Sequence, residues 1–243
     1  MKISNDFSMA LINENATFEE LSRLWIFNKK EKLKQSTYLK YYYLIDRYIN
    51  PVIGNFQLFS LGIQTVDAAI NKIYWKNTQE HLSYSLIKSI IFVTNSILNY
   101  GKRLQLMEHL EITFEVPKNE SHEIMVLSDS NIKKLVEYTI QHPSDNSLGI
   151  LFCLYTGLRI GEICALQRSD IDFAKNSIHI RKTVQRLKLN RNQKTELIIT
   201  KPKSTKSYRE IPIPSFLSNL LKEYKIIELE NTIFILGKKE TPY

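Results

Sequence analysis

No stretch of the 243-residue sequence is long and apolar enough to cross a bilayer; the run Ile150 to Tyr155 falls far short of the roughly 20 residues a spanning helix needs. The N-terminus, MKISNDFSMALINEN, has neither a sustained apolar core nor a small-residue cleavage site, so no export signal is read there. Cysteine is nearly missing. The two present, Cys153 and Cys164, have no metal-ligand spacing and read as small core residues rather than a disulfide. These absences set aside membrane and disulfide-scaffold classes and make a cytoplasmic protein the default expectation. Acid is the other shortage. Twenty-five acidic residues face 33 basic ones, a formal charge of +8 and a pI near 9.3. That balance favours a polyanionic partner, with nucleic acid first.

What is there describes an ordinary globular chain, 43% hydrophobic and 24% charged, long enough for two modest domains. Residues 1–15 read as a tail with no separate arm domain. Thr17-Phe18-Glu19-Glu20 has the form of a capping box, and Leu21, Leu24, Trp25 and Phe27 follow at helical spacing. Ser36 or Thr37 is expected to cap a second helix carrying Tyr38, Tyr41, Tyr42, Leu44, Ile45 and Tyr48. Pro51 should stop it, and Pro51 to Gly54 reads as a turn. A third helix is expected over Thr65 to Trp75 and a fourth over Ser83 to Tyr100, making a compact helical bundle over residues 16–114. Glu115 to Val126 is polar, aperiodic and holds Pro117, so it reads as an interdomain linker. A second domain over 127–243 begins with Ser128 capping a helix from Ile132 to Ile140.

The second domain is organised around LGILFCLYTGLRIGEICALQRSDID, Leu148 to Asp172. An apolar helix stops at Thr156-Gly157, where glycine can take the backbone angles that end it. Arg159 follows, and an amphipathic pattern resumes from Gly161. A guanidinium there is a planar, permanent charge suited to two phosphate oxygens. From spacing alone, a structural ion pair with Glu162 or Asp170 is the favoured reading, because such pairs are common.

After Asp172 the period changes. Ser177–Ile180, Glu196–Thr200 and Glu210–Ile213 read as a small three-stranded antiparallel sheet, and Phe216 to Ile227 as a helix. Between Arg181 and Arg209 stand ten basic residues and a single acid, Glu196. Of these, Arg181, Lys182, Lys201, Lys206 and Arg209 are candidate DNA contacts, because so much charge on a hairpin exceeds what solubility needs. In the first domain Lys29, Lys30, Lys32, Lys34 and Lys40, beside Tyr38 and Tyr41 to Tyr43, form a second candidate phosphate-binding face. A solvated helix end beside an aromatic core explains the same pattern.

TGLRIGEICALQRSDID resembles the first-arginine motif of the tyrosine recombinases, the phage integrase family. PKSTKSYREIPIP (Pro202 to Pro214) resembles that family's lysine-bearing β-hairpin, and TFEELSRLWIFNKKEKLKQSTYLKYYYLIDRYINPVIGNFQLFSL is similar to its core-binding domain. The resemblance implies a mainly α chain with a small antiparallel β-sheet: a SAM-like helical bundle, then a partial α+β catalytic domain. It implies site-specific DNA recombination, with strands cut and rejoined through a phosphotyrosine, without metal or high-energy cofactor. Arg159 would then clamp the phosphate, Glu162 support it, and Lys203 donate a proton to the leaving 5′-oxygen. Double-stranded DNA is the implied partner, with other recombinase protomers as candidates and no membrane.

The family's later landmarks are a His-x-x-Arg pair, a further His or Trp and a tyrosine nucleophile. None of His81, His109, His122, His142 and His179 has arginine three places on, and the last of them precedes Lys203. The expectation is therefore a C-terminally truncated recombinase that binds DNA, carries the first half of the active site and does not cleave alone. The alternative is a non-catalytic DNA-binding regulator, or a relic derived from an integrase.

Overall fold

The computed structural model describes residues 15–75, 80–116, 125–189, 194–202 and 207–223, and the chain divides into two compact units, 1–122 and 123–243. The fold is mainly helical with small antiparallel sheets.

In the first unit, helix α1 (Phe18–Lys29) starts at the expected capping box: Thr17 Oγ1 accepts from the Glu20 amide at 3.3 Å, and the Glu20 carboxylate accepts from the Thr17 amide at 2.9 Å. The next two amides, of Phe18 and Glu19, donate to the carbonyls of Phe56 and Gly54, so the helix start leaves no orphan there. α1 buries Leu21, Leu24, Trp25 and Ile26.

Helix α2 (Gln35–Leu44) begins after Lys34, not at Ser36 or Thr37, and does not end at Pro51. It continues as a π turn over Ile45–Ile49 and then as α3 (Asn50–Ile53), with Pro51 inside the first turn of α3. The expected stop and turn are thus replaced by a helix that runs through. Proline tolerates a first helical turn because its missing N–H has no helical partner there, and the wider π turn resets the ladder just ahead of it. Tyr38, Tyr41 and Tyr48 pack on the core, whereas Tyr42 and Tyr43 are exposed.

Helices α4 (Ile63–Tyr74) and α5 (Tyr84–Arg103) complete the bundle. α5 buries Ile87, Ile90, Val93, Thr94, Ile97, Leu98 and Gly101, the three-four spacing of a single stripe. The chain then folds back over the unit. Asp67 on α4 accepts from the amides of Thr113 and Phe114 at 3.0 and 3.3 Å and from the Thr113 hydroxyl, while Asn95 on α5 accepts from the Ile112 amide. Val116 packs on the same core, so the first two residues of the expected linker, Glu115 and Val116, continue this strap. Asp67→Ala is expected to destabilise the unit by about 1–2 kcal/mol. Amide hydrogen exchange at Thr113 and Phe114 should accelerate; unchanged protection at both would show that the carboxylate does not hold the strap.

In the second unit, α6 (Asp129–Gln141) starts at Ser128, whose hydroxyl accepts from the Asn131 amide. Helix α7 (Asp145–Thr156) and the short α8 (Ile160–Ile163) follow. A three-stranded antiparallel sheet has the order β1 (Ile171–Asp172), β2 (Ser177–Ile180), β5 (Arg209–Pro212). Glu196–Thr200 is β4, and it pairs instead with β3 (Thr183–Leu187) in a separate two-stranded sheet. The single three-stranded sheet expected from these runs is therefore two sheets. Leu151, Phe152, Ile163, Ile178 and Leu217, the last on α9 (Ser215–Glu223), form the centre of the core. Among the described residues no helix is long and apolar enough to cross a membrane, and both cysteines are free.

Candidate functional site

α7 ends at Gly157, which is left-handed (φ 64°), a conformation glycine takes at little cost. The Leu158 amide donates to Thr156 Oγ1, and the Leu158 side chain is buried. This pins the chain one residue before Arg159. At Arg159 the backbone is extended, and α8 starts; the Arg159 amide donates to Glu162 Oε2 at 3.0 Å. Glu162 is itself buried, between Gly161 and the fully buried Ile163. Gly161 explains how α8 comes so close to β3: a Cβ there would meet Thr183 Oγ1 and the Val184 carbonyl oxygen at 2.7 Å each. Gly161→Ala should cost about 1–3 kcal/mol, because a backbone carbonyl cannot rotate aside. An alanine variant with wild-type unfolding midpoint would refute this packing.

Four N–H groups converge on the Glu162 carboxylate. Besides its own backbone bond, Arg159 donates from Nη1 to Oε1 at 3.2 Å; Arg209, the first residue of β5, donates from Nη1 to Oε1 and from Nη2 to Oε2, both at 2.9 Å. A carboxylate has about four lone-pair positions, so this one is saturated. The bonds from Arg209 hold Glu162 at a pKa of about 2, against burial, with the Arg159 backbone bond and both cationic charges adding. Its carboxylate pushes the Arg209 guanidinium further up in return. Glu162 is thus ionised and has no free lone pair for a proton at neutral pH.

A folded-state pKa depressed from 4.5 to about 2 contributes stability that is complete above pH 4.5 and lost as pH falls towards 2. That gap corresponds to about 3 kcal/mol. The second unit should therefore lose stability between pH 5 and pH 2 in the wild type, and Glu162→Gln should flatten that loss in acid titrations of the unfolding midpoint.

The two arginines differ in what they leave over. Arg209 is about two-thirds buried and uses three of its five donors, two on Glu162 and one on the Ser207 carbonyl at 3.3 Å. Arg159 has one side-chain donor engaged, and its side chain is 77% exposed. Its four other donors have no partner among the described residues. Leu158 just before it is buried, but the Arg159 guanidinium itself stands out in water. Gly157, Arg159, Ser207 and Arg209 line a shallow open hollow. With two guanidiniums and one carboxylate its charge is positive, and its chemistry suits an oxyanion.

The remaining expected residues are distributed as follows. Lys203 and Lys206 lie outside the described residues. Lys182 is committed elsewhere: its ammonium is 3.7 Å from buried Asp170 and donates to Gln167. Asp170, the other candidate ion-pair partner of Arg159, is thus paired with Lys182, and Arg209 is paired with Glu162. Arg181 and Lys201 are exposed. In the first unit Lys30, Lys32 and Lys34 are exposed, Lys40 donates to Ser89, and Lys29 lies 5.6 Å over the Trp25 ring. Lys29 and Lys32 line a hollow with Trp25, Asn28, Tyr100 and Arg103. Arg103, which the sequence reading did not single out, lines the same hollow, and Arg209 in the second unit is paired with Glu162. No group of metal-binding side chains occurs among the described residues.

Comparison with known proteins is consistent along the chain. Residues 125–242 match the phage integrase family, and residues 17–74 match the phage integrase N-terminal SAM-like domain. A tyrosine recombinase XerC-like protein of Caldanaerobacter subterraneus subsp. tengcongensis is 28% identical over 232 residues, covering 87% of this chain and 56% of that protein. The chain thus spans little more than half the length of this curated relative. Among solved structures, the Tn1549 transposon integrase in complex with a circular intermediate DNA has a TM-score of 0.74 at 17% identity, covering 94% of this chain and 73% of that one. A lambda integrase dimer bound to a COC′ core site has a TM-score of 0.63 at 15% identity, covering 95% and 60%. At such identities these two likenesses speak for the fold.

Proposed function

Because the chain belongs to the phage integrase family of tyrosine recombinases, we propose that it binds duplex DNA and that Arg159 grips the phosphate at which strands are cut and rejoined. The observation that carries this is the exposed Arg159 guanidinium, four of its five donors open among the described residues, beside a saturated and ionised Glu162. When a phenolate attacks a phosphodiester, the nonbridging oxygens gain negative charge, and a positioned guanidinium stabilises that charge more than the ground state. Glu162 then serves as the carboxylate that orients Arg159 and takes no proton. The proton for the leaving 5′-oxygen is the role proposed for Lys203. The tyrosine nucleophile is not assigned among the described residues.

Duplex DNA as the partner is supported by the net charge of +8 and by the relatives of known structure, which include integrases in complex with DNA and a lambda integrase tetramer bound to a Holliday junction. Further protomers are proposed as partners on the same ground. In the first unit Lys29, Lys30, Lys32, Lys34 and Lys40 supply backbone-phosphate contacts; in the second, Arg181 and Lys201 do so. Fluorescence anisotropy on a mixed-sequence 30-bp duplex tests the reading. Six or more phosphate contacts should weaken binding by about a thousandfold or more between 50 and 200 mM salt. Absence of binding at low salt, or binding insensitive to salt, would remove the DNA-binding reading.

A further inference from the structure

Arg209 had been expected to touch DNA, yet its geometry is that of a support. Its guanidinium and the Glu162 carboxylate form a two-point bond with both distances at 2.9 Å, across 47 residues of sequence. One of its Nη1 donors also reaches back to the Ser207 carbonyl, locking the fork to the start of its own strand. The β2–β5 pairing holds that strand, with Arg209 opposite buried Ile180. On the other side Glu162 is fixed by α8, where Gly161 packs against the β3 backbone. Arg159 meets this rigid assembly through a single side-chain bond to the Oε1 that Arg209 also holds.

We propose that Arg209 is a positioning residue: it holds the Glu162 carboxylate in place, and through it aims Arg159 at the DNA phosphate, without contacting DNA itself. This rests on the function proposed above only for the identity of what Arg159 grips. The bidentate fork matters here. A lysine would supply the charge but not the two parallel bonds that fix the carboxylate plane. Two cations beside one anion also leave the hollow with one net positive charge, and removing Arg209 alone would leave Arg159 neutralised by Glu162. The carboxylate would then be free to swing and take up more of the Arg159 donors, withdrawing the clamp from the hollow.

The test has two arms. In the first, the Glu162 side-chain carboxyl is followed by ¹³C NMR against pH in the wild type, Arg209→Gln and Arg209→Lys. The carboxyl should titrate clearly higher in Arg209→Gln and be partly restored in Arg209→Lys, with the dispersed spectrum of each variant reporting that it is folded. An unchanged titration in Arg209→Gln overturns the proposal. In the second arm, duplex affinity is measured for Arg209→Gln, Arg159→Ala and the double variant. If Arg209 acts through Arg159, its loss of about threefold should vanish in the Arg159→Ala background. A loss that multiplies in the double variant means that Arg209 meets DNA directly, and also overturns the proposal. If Arg159→Ala itself leaves affinity unchanged, the reading of Arg159 as a DNA clamp fails, while the carboxyl titration still decides what Arg209 does to Glu162.

Discussion

Glu162→Ala is expected to destabilise the second unit by about 3 kcal/mol, the low end of what breaking a buried ion pair costs. The figure comes from the geometry of Arg209, not of Arg159. Arg209 is about two-thirds buried and would lose both of its 2.9 Å bonds at once, leaving a guanidinium with only the Ser207 carbonyl. Arg159, 77% exposed, would be rehydrated and adds little beyond its backbone bond. Two cations left side by side add repulsion. Both tryptophans, Trp25 and Trp75, belong to the first unit, so their fluorescence should unfold at an unchanged denaturant concentration while far-UV circular dichroism shows an earlier phase. A Glu162→Ala protein within 0.5 kcal/mol of wild type on the dichroism signal would mean that the carboxylate does not tie α8 to β5.

This dependence on one long-range pair also marks the limit of what could be read from sequence. The features that were legible are local. Thr17 and Glu20 are three residues apart, and their reciprocal bonds are present. Gly157 was read as a residue able to end the apolar helix, and it does so in the left-handed conformation. Ser128 caps α6 for the same kind of reason. The motif around Arg159 placed Arg159 and Glu162 on one short turn, and they meet.

What escaped is set by pairing across the chain. The Glu196–Thr200 run has the alternation of a strand but nothing in it names its neighbour, and it chose β3 over β2. Arg209 lay in a basic stretch that read uniformly as phosphate-binding; its carboxylate is 47 residues upstream, where periodicity carries no information. The pairing of Lys182 with Asp170 was equally invisible to periodicity. At Pro51 the rule used was sound for a helix interior but did not allow for a π turn, which lets a new first turn begin around the proline. Net charge counted the cations correctly without telling which of them were already paired.

The paired and unpaired cations should separate cleanly in binding. Arg159→Ala is expected to weaken duplex affinity about tenfold, close to the value of one good bidentate contact, while shifting the unfolding free energy by less than 0.5 kcal/mol because the side chain is mostly in water. The salt dependence should become shallower by about one counterion, since one phosphate is no longer neutralised. Arg159→Lys keeps the charge and so should recover the salt slope, yet recover only part of the affinity, because an ammonium cannot lie along two phosphate oxygens at once. That split distinguishes a clamp from a cation that merely adds to the positive field. If the alanine and lysine variants both bind as well as wild type, with parallel salt plots, then Arg159 contributes neither, and the hollow beside Glu162 is a structural ion pair at the protein surface.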